Sequence, residues 1–482
     1  MIRKPHILIG ALVGGLLTAP LLALVFIGQQ AAGLPFLPSD FFSPVRDLTP
    51  GGIITAVIDS VKSVILALNL GRVDTAAKNI EFAMAIGLIV VLGMIAGAVF
   101  FTLFGRSERP TWMRTGVIGG LIVGIVMALV SLQFGISSTV EPRIIGALWV
   151  IVLFVIWGWA HAWAYGRLVI AQAMPTPAKA SSGNDVRAVD RRQFLITLGA
   201  ASATLTVVGT GLGALIRREE PGSTATIAQG DGAGQVPTGI EVPPPMNLGD
   251  PLAPAPGTRP EITPVGDHYR IDISLVPPSI SEASWTLPFV STLASEEETL
   301  AEFTLDELKA YEATSAYITM SCISNEVAGD LISTTYWTGV SFKRLLQDVP
   351  LPDNATHLRL IGGDGFDETV ALDVIESDER VMLAYYWEGK PLEQKHGFPL
   401  RIHIPDHYGM KQPKWIVRIE VLAEDQDGYW VRRGWDKEAR VRATSVIDTV
   451  AVNDVMTEGD QQLVPIGGIA WAGERGIATV EV

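Results

Sequence analysis

Ala316-Tyr317-Ile318-Thr319-Met320-Ser321-Cys322-Ile323-Ser324-Asn325 sets Ala316, Ile318, Met320 and Cys322 at every second position. That period belongs to a strand, so a strand is predicted over 315–323 with the thiol at its C-terminal end and Ser324-Asn325 turning away. Strand ends that open into loops are frequent functional positions. Cys322 is also the only cysteine in 482 residues. This excludes an internal disulfide, a four-cysteine iron–sulfur site, a multi-cysteine zinc site and a Cys-x-x-Cys-His haem attachment. Redox chemistry would need another kind of centre.

Around this strand the pattern is one of short strands and short helices. Thr304 and Glu307 form a capping box that opens a helix through Leu305, Leu308 and Tyr311. Further strands are predicted at 357–361, 381–387, 399–404 and 415–422. Without regular alternation of the two element types, the region from Tyr269 reads as α+β. Between Lys395 and Arg418 lie five Lys or Arg (Lys395, Arg401, Lys411, Lys414, Arg418), three His (His396, His403, His407) and a single acid, Asp406. Such a basic island fits either a bound anion or salt bridges to acids elsewhere in the fold. Tyr429-Trp430-Val431-Arg432-Arg433-Gly434-Trp435 is equally two-sided, the mouth of a pocket for an oxyanion or ordinary surface packing. Neither a phosphate-binding Gly-x-x-x-x-Gly-Lys-Ser/Thr nor His-Glu-x-x-His occurs.

The remainder of the chain has a different character. Residues 1–220 carry 17 Lys or Arg against 11 Asp or Glu, and residues 221–482 carry 19 against 40. The net +6 and −21 describe a membrane half and an acidic soluble half, which the overall mean hydropathy of +0.32 conceals. A domain that acidic is a poor partner for nucleic acid. Since a membrane span needs about 20 apolar residues, five are predicted, at 7–28, 81–104, 113–134, 144–168 and 194–216. The less apolar segment 49–70, broken by Asp59 and Lys62, reads as an interfacial helix. His161 is the only histidine within the spans. In a run with Trp149, Trp157, Trp159 and Trp163 it reads as an interface-belt residue rather than a haem ligand. Gly209-x-Gly211-x-Gly213 sits inside a span and reads as close helix packing.

Five spans put the two ends on opposite faces. Arg3, Lys4, Arg106, Arg109, Arg114, Arg167, Lys179, Arg187, Arg191 and Arg192 share one face, whereas the other mixes Arg46, Lys62, Arg72, Lys78 and Arg143 with four aspartates. The positive-inside bias therefore predicts a cytoplasmic N-terminus and an extracytoplasmic soluble half. Asp190-Arg191-Arg192-Gln193-Phe194-Leu195 before the last span resembles a twin-arginine export signal, a route for domains already folded around a cofactor. The expected organisation is a membrane domain over 1–216, a Pro/Gly-rich linker over 217–265 (Pro243, Pro244, Pro245, Pro251, Pro254, Pro256), a catalytic domain over 266–425 and a C-terminal β segment over 426–482.

Several ordered motifs then resemble one family. Cys322-Ile323-Ser324-Asn325, Gly329-Asp330-Leu331-Ile332, Trp337-Thr338-Gly339-Val340, His396-Gly397-Phe398-Pro399-Leu400-Arg401 and Lys414-Trp415 are similar to the sulfite oxidase family of molybdopterin enzymes, most of all its bacterial membrane-anchored type. The resemblance implies an α+β molybdopterin-binding domain behind an all-α membrane helix bundle. It implies one molybdenum held by a pyranopterin dithiolene and by the thiolate of Cys322, a soft ligand suited to that metal. The family's phosphate-gripping residues match His396 and Arg401, and its pterin-binding lysine matches Lys414. Asn325 and Lys411 are expected in the same cofactor-binding set. The implied activity is oxygen-atom transfer with a small oxo-substrate. Electrons would pass to a separate carrier, cytochrome or quinone-linked, because no haem or iron–sulfur centre is found in this chain.

The chain also departs from the pattern. Where the family carries an arginine pair after the residue matching Asn325, this sequence has Glu326 and Val327. An acid there disfavours anions such as sulfite unless Arg432, Arg433 or Arg440 compensates. A further position near the metal, often Tyr in the family, falls at Trp435. Arg432, Arg433 and Trp435 are accordingly expected beside Cys322 as catalytic residues. A sulfoxide or other neutral oxide is the alternative substrate, and a non-catalytic membrane scaffold or sensor is the alternative of another class. Gly467-Gly468-Ile469-Ala470-Trp471-Ala472-Gly473 resembles the opening of the family's immunoglobulin-like dimerisation domain, which would be truncated here.

Overall fold

The computed structural model describes residues 7–106, 111–135, 143–173, 191–216 and 254–481. Arg3, Lys4, Arg109, Lys179, Arg187, Asp190 and all of the linker before Pro254 lie outside the described residues. The chain divides into two compact units, one of Met1–Thr49, Asn79–Glu219 and Ser274–Ser279, the other of Pro50–Lys78, Glu220–Ile273 and Ile280–Val482.

Among the described residues of the N-terminal half are seven helices, α1 Ile7–Ala32, α2 Leu37–Leu48, α3 Gly51–Ala67, α4 Val73–Arg106, α5 Thr111–Phe134, α6 Ile144–Ala173 and α7 Arg191–Leu215. Within α1, α4, α5, α6 and α7 lie five stretches long and apolar enough to cross a membrane. The chain is therefore membrane-associated. Small residues set the helix crossings of the first unit. Gly97 of α4 lies against the backbone of Gly10 and Gly14 in α1, and Gly158 of α6 against Gly116 and Gly120 in α5, so that any Cβ there would collide. Between these crossings Val13, Phe101, Phe104, Val150, Trp157 and Leu168 form a buried core. His161 belongs to that core, not to an interface belt. It is fully buried, its Nδ1 is 2.8 Å from the Trp157 carbonyl, and the rings of Trp157 and Phe100 pack on it.

The second unit carries two five-stranded sheets. Its elements run β1 Thr286–Ser291, β2 Glu298–Thr304, α8 Leu305–Ala310, β3 Ala313–Ser321, β4 Ile332–Ser341, α9 Phe342–Leu346, β5 His357–Gly362, β6 Asp367–Ala371, α10 Leu372–Ser377, β7 Met382–Trp387, β8 Lys390–Pro391, β9 Arg401–His403 and β10 Ile416–Leu422. One sheet has the order β2-β1-β10-β5-β6, with β1 and β10 parallel. The other has β3-β4-β7-β8, with β9 on β7. Leu287, Phe289, Leu358, Ile419 and Val421 from the first meet Val340, Leu383, Tyr385 and Ile402 from the second in one core. The opposite face of the second sheet buries Ile318, Met320, Trp337, Met382, Ala384 and Trp387 with Cys322 and Tyr269. β7 is covered on both faces, hence its unbroken apolar run Met382-Leu383-Ala384-Tyr385-Tyr386-Trp387. Beyond Tyr429, β11 Thr444–Val450 pairs antiparallel with β14 Ile466–Trp471, and β12 Met456–Glu458 with β13 Gln461–Leu463.

The expected strands and the capped helix are present. Thr304 accepts from the Glu307 amide, and the Glu307 carboxylate accepts from the Thr304 amide, 2.7 Å away.

Candidate active site

Cys322 stands one residue past β3. Its amide still pairs with the Leu331 carbonyl at 2.9 Å, and the chain then turns back toward β4. Asn325 holds that turn. Its amide donates to the Cys322 carbonyl at 3.0 Å, and its Oδ1 accepts from the Leu331 amide at 3.0 Å. The thiol is buried and lies 3.2 Å from the Ser324 hydroxyl. Burial pushes its pKa up, while the Ser324 hydroxyl and the Lys62 charge pull the other way.

A second group of side chains converges on this face of the sheet from the segment after β8. His396 ends a 3-10 turn, and Gly397 follows at φ 118°, in the left-handed region that glycine enters freely. A side chain at Gly397 would also press on Arg401 and Lys414, so the glycine lets these two cations stand beside His396. Arg401 is 4% exposed. Its guanidinium lies over the Trp337 ring at 4.7 Å, donates to the His396 carbonyl at 3.0 Å and approaches Met320 Sδ at 3.5 Å. Met320 is the residue on the same face as Cys322, two positions earlier. The Arg401 Nε has no partner, and no carboxylate forms an ion pair with this residue among the described residues.

Tyr269 and His268 complete the surroundings. His268 stacks on Tyr269 and packs edge-on against His396, with ring centres 5.4 Å apart in both cases. Tyr269 OH, His268 Nε2 and Trp337 Nε1 are buried without hydrogen-bond partners. Burial and then the Arg401 charge lower the His268 pKa to about 3. Burial, His268 and the neighbouring cations hold His396 well below the usual histidine range. Burial pushes Tyr269 up, and the Cys322 sulfur adds to the shift. Lys414 is brought down to about 8 by burial, against the opposing pull of Asp272 at 2.8 Å. Although burial raises it, the Asp272 carboxyl is held well below the carboxylate range by Lys414, Lys78 and Arg270.

Each orphaned buried polar atom costs about 1–3 kcal/mol unless a ligand satisfies it. A buried guanidinium without a counter-ion adds to the demand. The buried polar groups on this face of the sheet thus suit an anionic, hydrogen-bond-accepting group, and a phosphate-bearing cofactor with a metal bound by the thiolate fits them.

Residues 274–430 match the family described as oxidoreductase molybdopterin binding domain. The soluble domain is that of a sulfite oxidase family molybdopterin oxidoreductase. Mitochondrial sulfite oxidase of Mus musculus is 26% identical over 216 residues, which is 37% of this chain and 40% of the mouse protein. Nitrate reductase [NAD(P)H] of Hordeum vulgare is 27% identical over 195 residues, 35% of this chain and 21% of the barley protein. An uncharacterized oxidoreductase of Bacillus subtilis, YuiH, is 32% identical over 99 residues, 20% of this chain and 50% of that protein. The chain thus spans half or less of the length of each of these relatives.

In this sulfite oxidase family domain the remaining expected residues stand as follows. Arg401 stands against His396 and reaches Met320, two residues before Cys322, Gly397 leaves room for Arg401 and Lys414, and Asn325 shapes the loop after the thiol. The Lys411 ammonium is committed to Glu368, 2.7 Å away and buried, so it is not a free cation for the cofactor. Arg432 donates to Asp367 at 2.9 Å and Arg440 to Asp406 at 3.2 Å. Arg433 stacks on Tyr429 and donates to its carbonyl at 2.8 Å, while Trp435 packs edge-on against Trp430. Nothing in these contacts brings Arg432, Arg433 or Trp435 to the thiol. The cation that meets Glu326 is instead Lys62, at 2.8 Å. Its only sequence signal is that, with Asp59, it interrupts an apolar helix. Tyr269 was signalled only as the first patterned residue after the linker, and His268 not at all.

The neutral buried histidines predict acid sensitivity. His403 is buried with Nδ1 3.0 Å from Gln412 Oε1, and burial lowers its pKa to about 4. With an unfolded value near 6.5, the unfolded chain binds the extra proton first, so stability is full above pH ~6.5 and falls as pH drops toward 4. The loss attributable to His403 is roughly 3 kcal/mol. In the cofactor-free chain, His403→Gln should flatten the fall of the melting temperature between pH 6.5 and 4; an unchanged acid limb would show that His403 does not titrate there.

Proposed function

We propose that this chain is a multi-pass membrane molybdenum oxidoreductase. Its α+β domain faces the extracytoplasmic side, exchanges an oxygen atom with a small oxo-substrate in the manner of sulfite oxidation, and passes electrons to a separate carrier, cytochrome or quinone-linked. The observation that carries the reading is the uncompensated, buried Arg401 guanidinium on the same sheet face as the only thiol in the chain. Five apolar helices and the Arg106, Arg114, Arg167, Arg191 and Arg192 bias support anchoring and orientation. The Arg191-Arg192 pair before α7 supports twin-arginine export.

When bound, the molybdenum–pterin cofactor supplies two-electron oxygen-atom exchange, which no side chain here performs. Cys322 would hold the metal as thiolate, with the Asn325 turn fixing its direction. His396 and Arg401 would grip the phosphate, and Lys414, oriented by Asp272, the pterin. Trp337 and Trp387, both fully buried, exclude water from that grip. Glu326, standing after Asn325, favours a neutral sulfoxide as the second reading of the substrate.

Purified full-length protein is expected to hold about one molybdenum per chain, as one thiolate allows. It should turn over sulfite, or in the second reading a sulfoxide, with an artificial electron carrier. Protein exported and folded but free of molybdenum would overturn the enzyme reading in favour of a scaffold or sensor.

A further inference from the structure

Helix α3 lies in sequence between apolar spans, yet its contacts are with the α+β unit to which it belongs. Gly51, at its start, abuts the backbone of Arg433 so closely that a Cβ could not fit. Lys62, near its end, donates from Nζ to the Ser324 carbonyl at 2.8 Å and pairs with Glu326 Oε1 at 2.8 Å. The Val73 amide, just beyond, donates to Asp330 Oδ2 at 2.9 Å. Ser324 and Asp330 bracket the loop that follows Cys322. Lys78, a turn further on, reaches Asp272, the carboxylate that also orients Lys414.

The loop needs such bracing. Within it Ala328 is held at φ 68°, Val327 is 77% exposed, and Glu326 is an acid four residues after the thiol. Lys62 answers both needs at once. Its side chain is only 19% exposed, whereas that of Glu326 is 55% exposed, so the lysine is the more buried partner and the glutamate the one open to solvent.

We propose that Lys62 is a positioning and specificity-determining residue of the thiolate site: it clamps the 323–331 loop through Ser324 and cancels the charge of Glu326, so that the site admits an oxyanion substrate. The anion arm rests on the molybdoenzyme reading; the clamp does not. A residue about 260 positions upstream, on a segment between membrane spans, would then set the charge at the substrate entrance.

The test uses the full-length chain in detergent. In Lys62→Met, amide hydrogen exchange over 323–331 is expected to accelerate about tenfold. The KM for sulfite and the inhibition constant for inorganic sulfate should each rise roughly tenfold, while the KM for a neutral sulfoxide moves by no more than about twofold. Lys62→Arg should restore most of both effects. Adding Glu326→Gln to Lys62→Met should restore the anion constants but not the loop's protection, a split that a merely structural role would not give. Unchanged exchange in Lys62→Met, or anionic and neutral constants shifting together, would overturn the proposal. If the purified chain held no molybdenum, that result would count against the enzyme reading alone, and the exchange measurement would still decide the clamp.

Discussion

Cys322→Ala is expected to abolish turnover, by roughly a thousandfold or more, while most of the pterin stays bound. The two halves of this outcome come from different residues. The thiol is the only group in the chain that can supply a thiolate, and alanine offers none. The proposed grip on the organic part of the cofactor lies in His396, Arg401 and Lys414, none of which touches Cys322 directly. The fold should be little disturbed, because the substitution removes one sulfur atom from a cluster that Met320, Trp337, Trp387 and Phe398 continue to fill. Turnover, molybdenum content and pterin fluorescence on the same preparation check it. A buried cysteine acting only as a small core residue would leave wild-type activity, and that result would end the catalytic reading of this residue.

How far the site was legible before the structure depends on whether its determinants are local. The strand leading to Cys322 has a period of two over seven residues, and the helix at 305–310 has its cap written three residues apart. Both are decided within their own sequence, and both stand where expected. The basic island was only half legible. Charge along the chain does not reveal which cations are answered from elsewhere, and here the two readings divide between residues. Lys411 is answered by Glu368, Lys395 by Glu393 and Arg418 by Glu297 and Glu420, whereas Arg401 is answered by no carboxylate among the described residues. The strand β6 was missed for the same reason. Asp367-Glu368-Thr369 is polar, and it is buried with Arg359 from the neighbouring strand and with Arg432 and Lys411 from further along the chain as partners. Which cation answers Glu326 was not legible either. Asp367 and Asp406 engage Arg432 and Arg440, Arg433 stays on Tyr429, and the cation that reaches Glu326 comes from the N-terminal half.

Arg401→Met is expected to move stability and cofactor retention in opposite directions. In the cofactor-free chain the guanidinium is a desolvated charge whose pKa burial lowers to about 10, held by one carbonyl and one thioether and stacked on Trp337. Replacing such a charge by an apolar side chain of similar length commonly stabilises a fold, here by about 1–3 kcal/mol after the lost hydrogen bond to His396 is deducted. The apo protein should therefore melt several degrees higher than wild type. With cofactor the balance reverses, since a phosphate would turn the unanswered charge into a buried pair worth several hydrogen bonds. Molybdenum and pterin content should fall by at least about tenfold, and Arg401→Lys should recover only part, because an ammonium lacks the planar fork. Melting curves of apo and loaded protein, read beside metal content, separate the alternatives. A residue kept for folding alone would lower the apo melting temperature when replaced. A residue kept for the anion raises it, because the cost of leaving that charge unanswered is present in every cofactor-free molecule.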